Sequence, residues 1–250
     1  MDSSYEHIVI GVGGIGSAAA YWIAKRGGKN VLALEQYELG HWRGASEDHS
    51  RIIRHSYHTA DYASLTRAAF DHVRALEEAT GMDLVRVTGG LNLAPNDSAG
   101  NAEIGGYANS LAEQGHAYEV MDGAELAARW PQWRVGKETI ALYQADSGLL
   151  DIRRANSAHI SRARALGVTF KDRTPAHAVT AAADHVEVRA GDEVYRARTL
   201  TVCAGSWTDT LLVSLGVRVP LVLTQEQVSY FAAPDLRASG LADLAQQIVS

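Results

Sequence analysis

Residues 6–35, EHIVIGVGGIGSAAAYWIAKRGGKNVLALE, decide how this chain folds. The run reads as a short buried strand (Ile8–Ile10), a glycine turn (Gly11, Gly13, Gly16), an Ala-rich helix and a second strand that ends on Glu35. Gly11 permits the sharp strand-to-helix turn, Gly13 a close approach of backbone to a pyrophosphate, and Gly16 close packing of helix on strand. Amides and dipole at the helix start attract phosphate. Glu35 follows at about the 20-residue distance where a carboxylate accepts hydrogen bonds from an adenosine ribose. Lys25 and Arg26 complement the C-terminal dipole, and Gly27-Gly28 supplies the stop. With strand, helix and acid all in place, the motif predicts a bound dinucleotide rather than an ordinary glycine-rich connection. The uncharged run Ile8–Ala24 is at the short limit for a membrane span and is broken by Gly11, Gly13, Gly14 and Gly16, so no membrane association is expected.

The bulk composition agrees with this. The chain has 250 residues, enough for one α/β domain or two interleaved ones, with 46% hydrophobic and 21% charged residues. A net charge of −6 offers no basic footprint for nucleic acid. The single cysteine, Cys203, excludes an internal disulfide and fits a reducing compartment; with no basic-then-apolar leader, the expected location is the cytoplasm. The 10 histidines form no H-E-x-x-H or Cys/His pattern. His55 and His58 stand at i, i+3, but nothing supplies further ligands, so no metal is expected.

Beyond Glu35, QYELGHWRGASEDHSR reads as an ordered loop. Tyr62–Ala79 is an amphipathic helix ending near Gly81, with Leu65, Ala69, Val73 and Leu76 at helical spacing. Strands Leu84–Val87 and Leu91–Leu93 flank Gly89-Gly90; Asp97–Gly115 is a surface helix and Asp122–Trp130 a shorter one stopped by Pro131. Thr139–Tyr143 is a strand, and Asp151 opens a helix with Ile152, Ala155, Ile160, Ala163 and Leu166 inward. From Gly167 the period becomes two: Val186–Val188 and Val194–Ala197 form a hairpin, and Leu200–Ala204 is a buried strand. Ser206 is placed to cap a helix Trp207–Leu215, and Val217–Phe231 is extended. A parallel β–α–β start followed by antiparallel hairpins predicts two domains made of interleaved segments.

Two further segments bear on chemistry. Arg51 and Arg54 in SRIIRHSY would share one face if the segment were helical, and their planar forks suit carboxylates and phosphates; a solvated pair opposing Glu47 and Asp48 is the plainer alternative. VCAGSW (Val202–Trp207) is a strand–Gly–helix that either meets a second part of a dinucleotide or is a routine β–α turn. Cys203 reads as an inert buried thiol, and Trp130 and Trp133 as core filling.

Taken together, IVIGVGGIGSAAAYWIAKRG…VLALE, RGASEDHSRIIRHSY, TGGLNLAP, RWPQW, ALYQADSGLLD and TVCAGSWTDTLL…VPL resemble the monomeric sarcosine oxidase and N-methyltryptophan oxidase family of flavoproteins. The resemblance implies a mixed α/β fold, a glutathione-reductase-like FAD domain (1–86 and 148–216) interleaved with a mostly antiparallel substrate domain (87–147 and 217–250). It implies FAD held at its diphosphate by Gly11, Gly13, Gly14, Ile15 and Gly16 and at its ribose by Glu35. Ala45, Ser46, Ser50 and Arg51 would line the flavin side, Ala176 the adenine, and Gly205 and Trp207 the later strand–turn–helix. Arg54 would pair with the carboxylate of an N-methyl amino acid. The implied reaction oxidises a secondary amine to an imine that hydrolyses, while dioxygen becomes hydrogen peroxide; the partners are a small amine and dioxygen, in a monomer or weak homo-oligomer.

The sequence departs from the family pattern in three ways. Glu47-Asp48 stands where relatives have a His-Gly pair, and Ala176 where they have a larger aliphatic residue. Family members also continue past Ser250, into the segment with the flavin-linking cysteine, which Cys203 does not match, and a lysine implicated in oxygen activation. The expectation is therefore an N-terminal portion of such an oxidase. A non-catalytic FAD-binding relative is the alternative, and an NAD-linked dehydrogenase is disfavoured because it needs neither SRIIR nor VCAGSW.

Overall fold

A computed structural model describes residues 4–48, 50–95 and 99–225. These fall into two compact units, one drawing on 4–48 and 152–225, the other on 50–95 and 99–151.

The first unit contains the nucleotide-type sheet. Strand β1 (Ser4–Ile10) leads through the glycine turn into helix α1 (Gly14–Lys25) and strand β2 (Val31–Leu34), as the motif predicts. The order across the sheet is β10 (Ala176–Ala181), β11 (Val186–Ala190), β12 (Glu193–Val202), β1, β2, β9 (Thr169–Lys171). β12, β1, β2 and β9 run parallel, while β10 and β11 pair antiparallel. Ile8, Val9, Leu32 and Ala33 are fully buried because apolar groups cover both sheet faces. Ile8, Ile10, Leu32 and Leu34 pack with Val179, Val188 and Tyr195; Val9, Val31 and Ala33 pack with Ala20, Tyr21, Ile160 and Ala163. The last two belong to helix α5 (Ile152–Ala165). Leu166, expected inward, lies past the end of α5 and is 45% exposed.

The strands read separately at Val194–Ala197 and Leu200–Ala204 are one strand, β12, since Arg198-Thr199 offers no turn residue. Its first half closes the hairpin with β11, and from Arg196 to Val202 it lies parallel to β1. The expected helix from Trp207 is a 3-10 turn (Gly205–Trp207), helix α6 (Thr208–Leu212) and a second 3-10 turn (Val213–Leu215). Ser206 sits inside the first turn and caps neither element. Residues 217–225 form no regular element, and the rest of the predicted extended stretch lies outside the described residues.

The second unit has two three-stranded antiparallel sheets. One is ordered β3 (Arg51–Ile53), β8 (Gly148–Leu150), β4 (Val85–Val87); the other β5 (Gly90–Pro95), β7 (Thr139–Gln144), β6 (Glu119–Asp122). Helices α2 (Ala60–Thr80), α3 (Ala99–Glu113) and α4 (Gly123–Arg129) complete it. Asp122 builds a capping box with Glu125 at the start of α4. Strands β3 and β4 both hydrogen-bond to β8, which keeps residues 50–86 together with 148–151, and both stretches belong to the second unit. Among the described residues no helix is long and apolar enough to cross a membrane.

Candidate functional site

The first unit brings the glycine turn and Glu35 into direct contact. Gly11 donates its N–H to the Leu34 carbonyl at 2.8 Å, which fixes the turn between β1 and β2. Its φ of +89° and a hypothetical Cβ only 2.4 Å from the Cys203 carbonyl oxygen leave room for glycine alone. At Gly16 a Cβ would lie 1.7 Å from the Gly11 carbonyl oxygen, so helix and turn meet backbone to backbone. Gly13 is the N-cap of α1 and supplies no side-chain cap, and Ile15 in the first turn is 76% exposed. Ser46 Oγ accepts from Gly14 N at 2.8 Å, with Ala45 beside it in an exposed turn.

Glu35 is 4% exposed. Its Oε2 accepts from Val12 N at 2.8 Å and its Oε1 from Tyr37 N at 3.1 Å, while His41 Nε2 stands 3.3 Å from Oε1. A carboxylate has about four lone-pair positions, so accepting capacity remains for hydroxyl donors. The Glu35 carbonyl accepts from Thr174 N, which leads the chain past the acid to Ala176 at the start of β10. Gly205, at φ +54°, opens the turn that carries Trp207, whose ring lies edge-on to Tyr37 at 6.0 Å. Asn156 Nδ2 donates to the Ser46 carbonyl at 3.3 Å, yet its Oδ1 is buried without a partner. A bare-backbone turn, first-turn amides without a side-chain cap other than Ser46, a buried acid and an unmet polar atom fit an adenine dinucleotide such as FAD.

The departure at Glu47-Asp48 has a structural answer. Glu47 is buried and held by the Arg153 fork, Nη2 at 2.8 Å and Nε at 3.0 Å, so its charge is offset locally. Asp48 keeps a left-handed φ of +91°, the conformation a glycine takes without strain.

Ser50, Arg51 and Arg54 belong to the second unit. The helical face expected for the two arginines does not form: Arg51 opens strand β3, with Nη1 donating to the Ser50 carbonyl at 2.9 Å, and Arg54 follows the strand. β-branched Ile52 and Ile53 favour that extended form. The Arg54 guanidinium lies 5.3 Å from the Tyr57 ring centre and 5.7 Å from that of Tyr107. His58 stacks on Tyr107 at 4.8 Å. Burial pushes the Tyr107 phenol pKa up although Arg54 pulls it down. Arg54 Nη1 is buried with no hydrogen-bond partner. A half-buried guanidinium with an unspent donor has the geometry and charge that suit a carboxylate.

A second polar group in this unit went unread in the sequence. Gln144 Oε1 accepts from Ser56 N at 2.9 Å and His55 N at 3.3 Å, and Ser56 Oγ donates to Asn92 Oδ1 at 2.9 Å. His55, His116 and Asp146 place possible ligand atoms within 4.8 Å of one another. Burial lowers the His55 pKa, His116 lowers it further, and Asp146 acts in the opposite sense. These residues come from the β3–α2, α3–β6 and β7–β8 connections, and no spacing rule joins them.

A family profile described as FAD dependent oxidoreductase matches residues 6–247. Monomeric sarcosine oxidase of Streptomyces avermitilis is 32% identical over 235 residues, covering 94% of this chain and 59% of that protein. N-methyl-L-tryptophan oxidase of Escherichia coli O81 is 34% identical over 216 residues, covering 86% and 57%. The chain thus spans less than two thirds of these curated relatives. Among solved structures, the open form of NikD, an unusual amino acid oxidase essential for nikkomycin biosynthesis, superposes with a TM-score of 0.77 at 28% identity, covering 86% of this chain and 55% of that one. L-proline dehydrogenase from P. horikoshii shares the fold, with a TM-score of 0.76 at 17% identity over 87% of this chain and 57% of that one.

Proposed function

The chain belongs to the FAD dependent oxidoreductase family, and from that premise we propose that it works in the oxidation of a secondary amine of the N-methyl amino acid class. The unit of 4–48 and 152–225 holds FAD, and the unit of 50–151 presents Arg54 to the substrate carboxylate. The backbone of Gly11, Gly13, Gly14, Ile15 and Gly16 receives the diphosphate, and Glu35 the adenosine ribose. Ala45, Ser46, Ser50, Arg51, Ala176, Gly205 and Trp207 complete the cofactor contacts. Bound FAD would supply the redox chemistry, two-electron oxidation at the carbon next to nitrogen, with dioxygen as electron acceptor and hydrogen peroxide as product. Arg54 orients the amine through its acid group; water then hydrolyses the imine.

The observation that carries this reading is the combination of a buried Glu35 closing the glycine turn through Val12 N and a buried Arg54 donor with nothing to bind. The purified chain should show a visible flavin band and form peroxide with sarcosine or N-methyltryptophan. Flavin without peroxide would mark a cofactor-binding protein without turnover. No flavin together with tight NAD binding would overturn both. In the FAD-loaded chain, Arg54→Ala should weaken carboxylate-induced changes in the flavin spectrum by about 30-fold, the scale of a lost charged hydrogen bond. Equal binding by parent and variant would remove Arg54 from the substrate site.

A further inference from the structure

His55 is buried between Phe70, 4.2 Å from its ring centre, and His116 at 4.0 Å. Its tautomer follows from Thr66. The Thr66 hydroxyl donates to the Ala63 carbonyl at 2.7 Å, so the same oxygen accepts from His55 Nδ1–H at 2.5 Å. His55 Nε2 is then left with its lone pair, 3.5 Å from Asp146 Oδ2. Two acceptors face each other. Nearby, His116 Nε2 and Asp146 Oδ1 are buried without partners. A proton on His55 Nε2 would relieve only the first contact and leave the His116 and Asp146 atoms unmet. One dication would meet all three side chains.

We propose that His55, His116 and Asp146 bind a divalent transition-metal ion of the zinc, cobalt or nickel class. Two imidazoles and one carboxylate, with water in the fourth position, match the donor set and softness these ions take, and not the all-oxygen shell of magnesium or calcium. The Nδ1–H donation to Thr66 is the outer contact that metal-bound histidines generally make, and it aims Nε2 at the ion. Metal–nitrogen bonds of about 2.0–2.1 Å bring ligand atoms to roughly 3.4 Å in a tetrahedron, closer than the 4.8 Å seen. His116 closes the difference by turning out of its stack, since rings only 17° from parallel cannot both point at one ion. It lies on the loop after Gly115, which adopts a left-handed φ of +69°. Arg67 and Arg74 are the cations near His55 and set a limit on affinity. The site uses only the second unit, so it stands or falls apart from the flavin reading.

The test is titration of the chelator-stripped full chain with Co²⁺, followed by visible absorbance, and with Zn²⁺, followed by calorimetry. One equivalent should bind, with the intense visible bands of tetrahedral cobalt. His116→Ala should weaken uptake more than about 100-fold and Thr66→Val about 10-fold. His116→Cys should retain uptake and add a near-ultraviolet thiolate-to-cobalt band, which also shows that the site is folded. Absence of saturable uptake, uptake unchanged by His116→Ala, or no thiolate band in His116→Cys would each overturn the assignment. Circular dichroism of the metal-free variants guards against reading misfolding as lost binding.

Discussion

In the unit that carries the glycine turn, the candidate site is made of backbone; in the other unit it is made of side chains. Around Glu35 most partners are main-chain groups: Val12 N and Tyr37 N on the carboxylate, with Leu34 O on Gly11 N next to it, and His41 adds one side chain. Around Arg54 and His55 the partners are side chains from distant segments, and several buried polar atoms, among them Arg54 Nη1, Asn92 Nδ2, Gln144 Nε2 and His116 Nε2, have none. A backbone site needs the absence of side chains at a few positions, while a side-chain site needs particular groups delivered by remote loops. The two should therefore fail differently: the first when any carbon is added, the second when one polar atom is removed.

The largest effect should come from filling the first site. Gly16→Val puts carbon where the nearest backbone oxygen is already 1.7 Å from a Cβ, and no flexible side chain can give way. A loss of about 4 kcal/mol or more is expected by urea denaturation, with FAD uptake abolished. If the variant keeps its stability and its flavin, close backbone packing is not what shapes the turn, and the contrast between the units disappears.

The corresponding change in the second unit is Gln144→Leu, which keeps the volume and removes the accepting oxygen together with the unpartnered Nε2. Gln144 is 1% exposed, and its Oε1 is the acceptor for the His55 and Ser56 amides. Two buried N–H groups left without partners should cost about 3 kcal/mol in the same denaturation experiment. A cost below about 0.5 kcal/mol would mean that water serves those amides, and that this unit does not depend on side-chain acceptors.

The same difference explains what could be read in advance. β1, α1, β2 and the place of Glu35 beside the glycine turn were legible because glycine turn, helix and acid lie within 30 residues of one another in fixed order. The chemistry of the Arg51 and Arg54 guanidiniums was legible, but their geometry was not: the face shared by Arg51 and Arg54 assumed a local period, and pairing with Leu149 and Leu150 imposed a strand instead. Strand pairing is set by partners remote in sequence, and the same holds for β6 and β9, which the pattern did not mark. The His55–His116–Asp146 group is the extreme case. Each residue is unremarkable where it stands, and only the packing of α2 and the loops around it makes them neighbours.

The smallest expected effect is also the one that improves the protein. Asp48 holds φ +91°, which costs a residue with a Cβ about 1–3 kcal/mol, whereas glycine adopts it freely. Glycine also gains freedom in the unfolded chain, which takes back roughly 0.4–1 kcal/mol. Asp48→Gly should therefore raise stability by about 1 kcal/mol. Glu47 would keep its two contacts with Arg153, so the local charge balance is retained. The denaturation midpoint of Asp48→Gly against Asp48→Ala separates the causes. Alanine removes the same charge without relieving the backbone, so equal midpoints would show that the aspartate's side chain, and not its φ, sets the stability of the segment joining the two kinds of site.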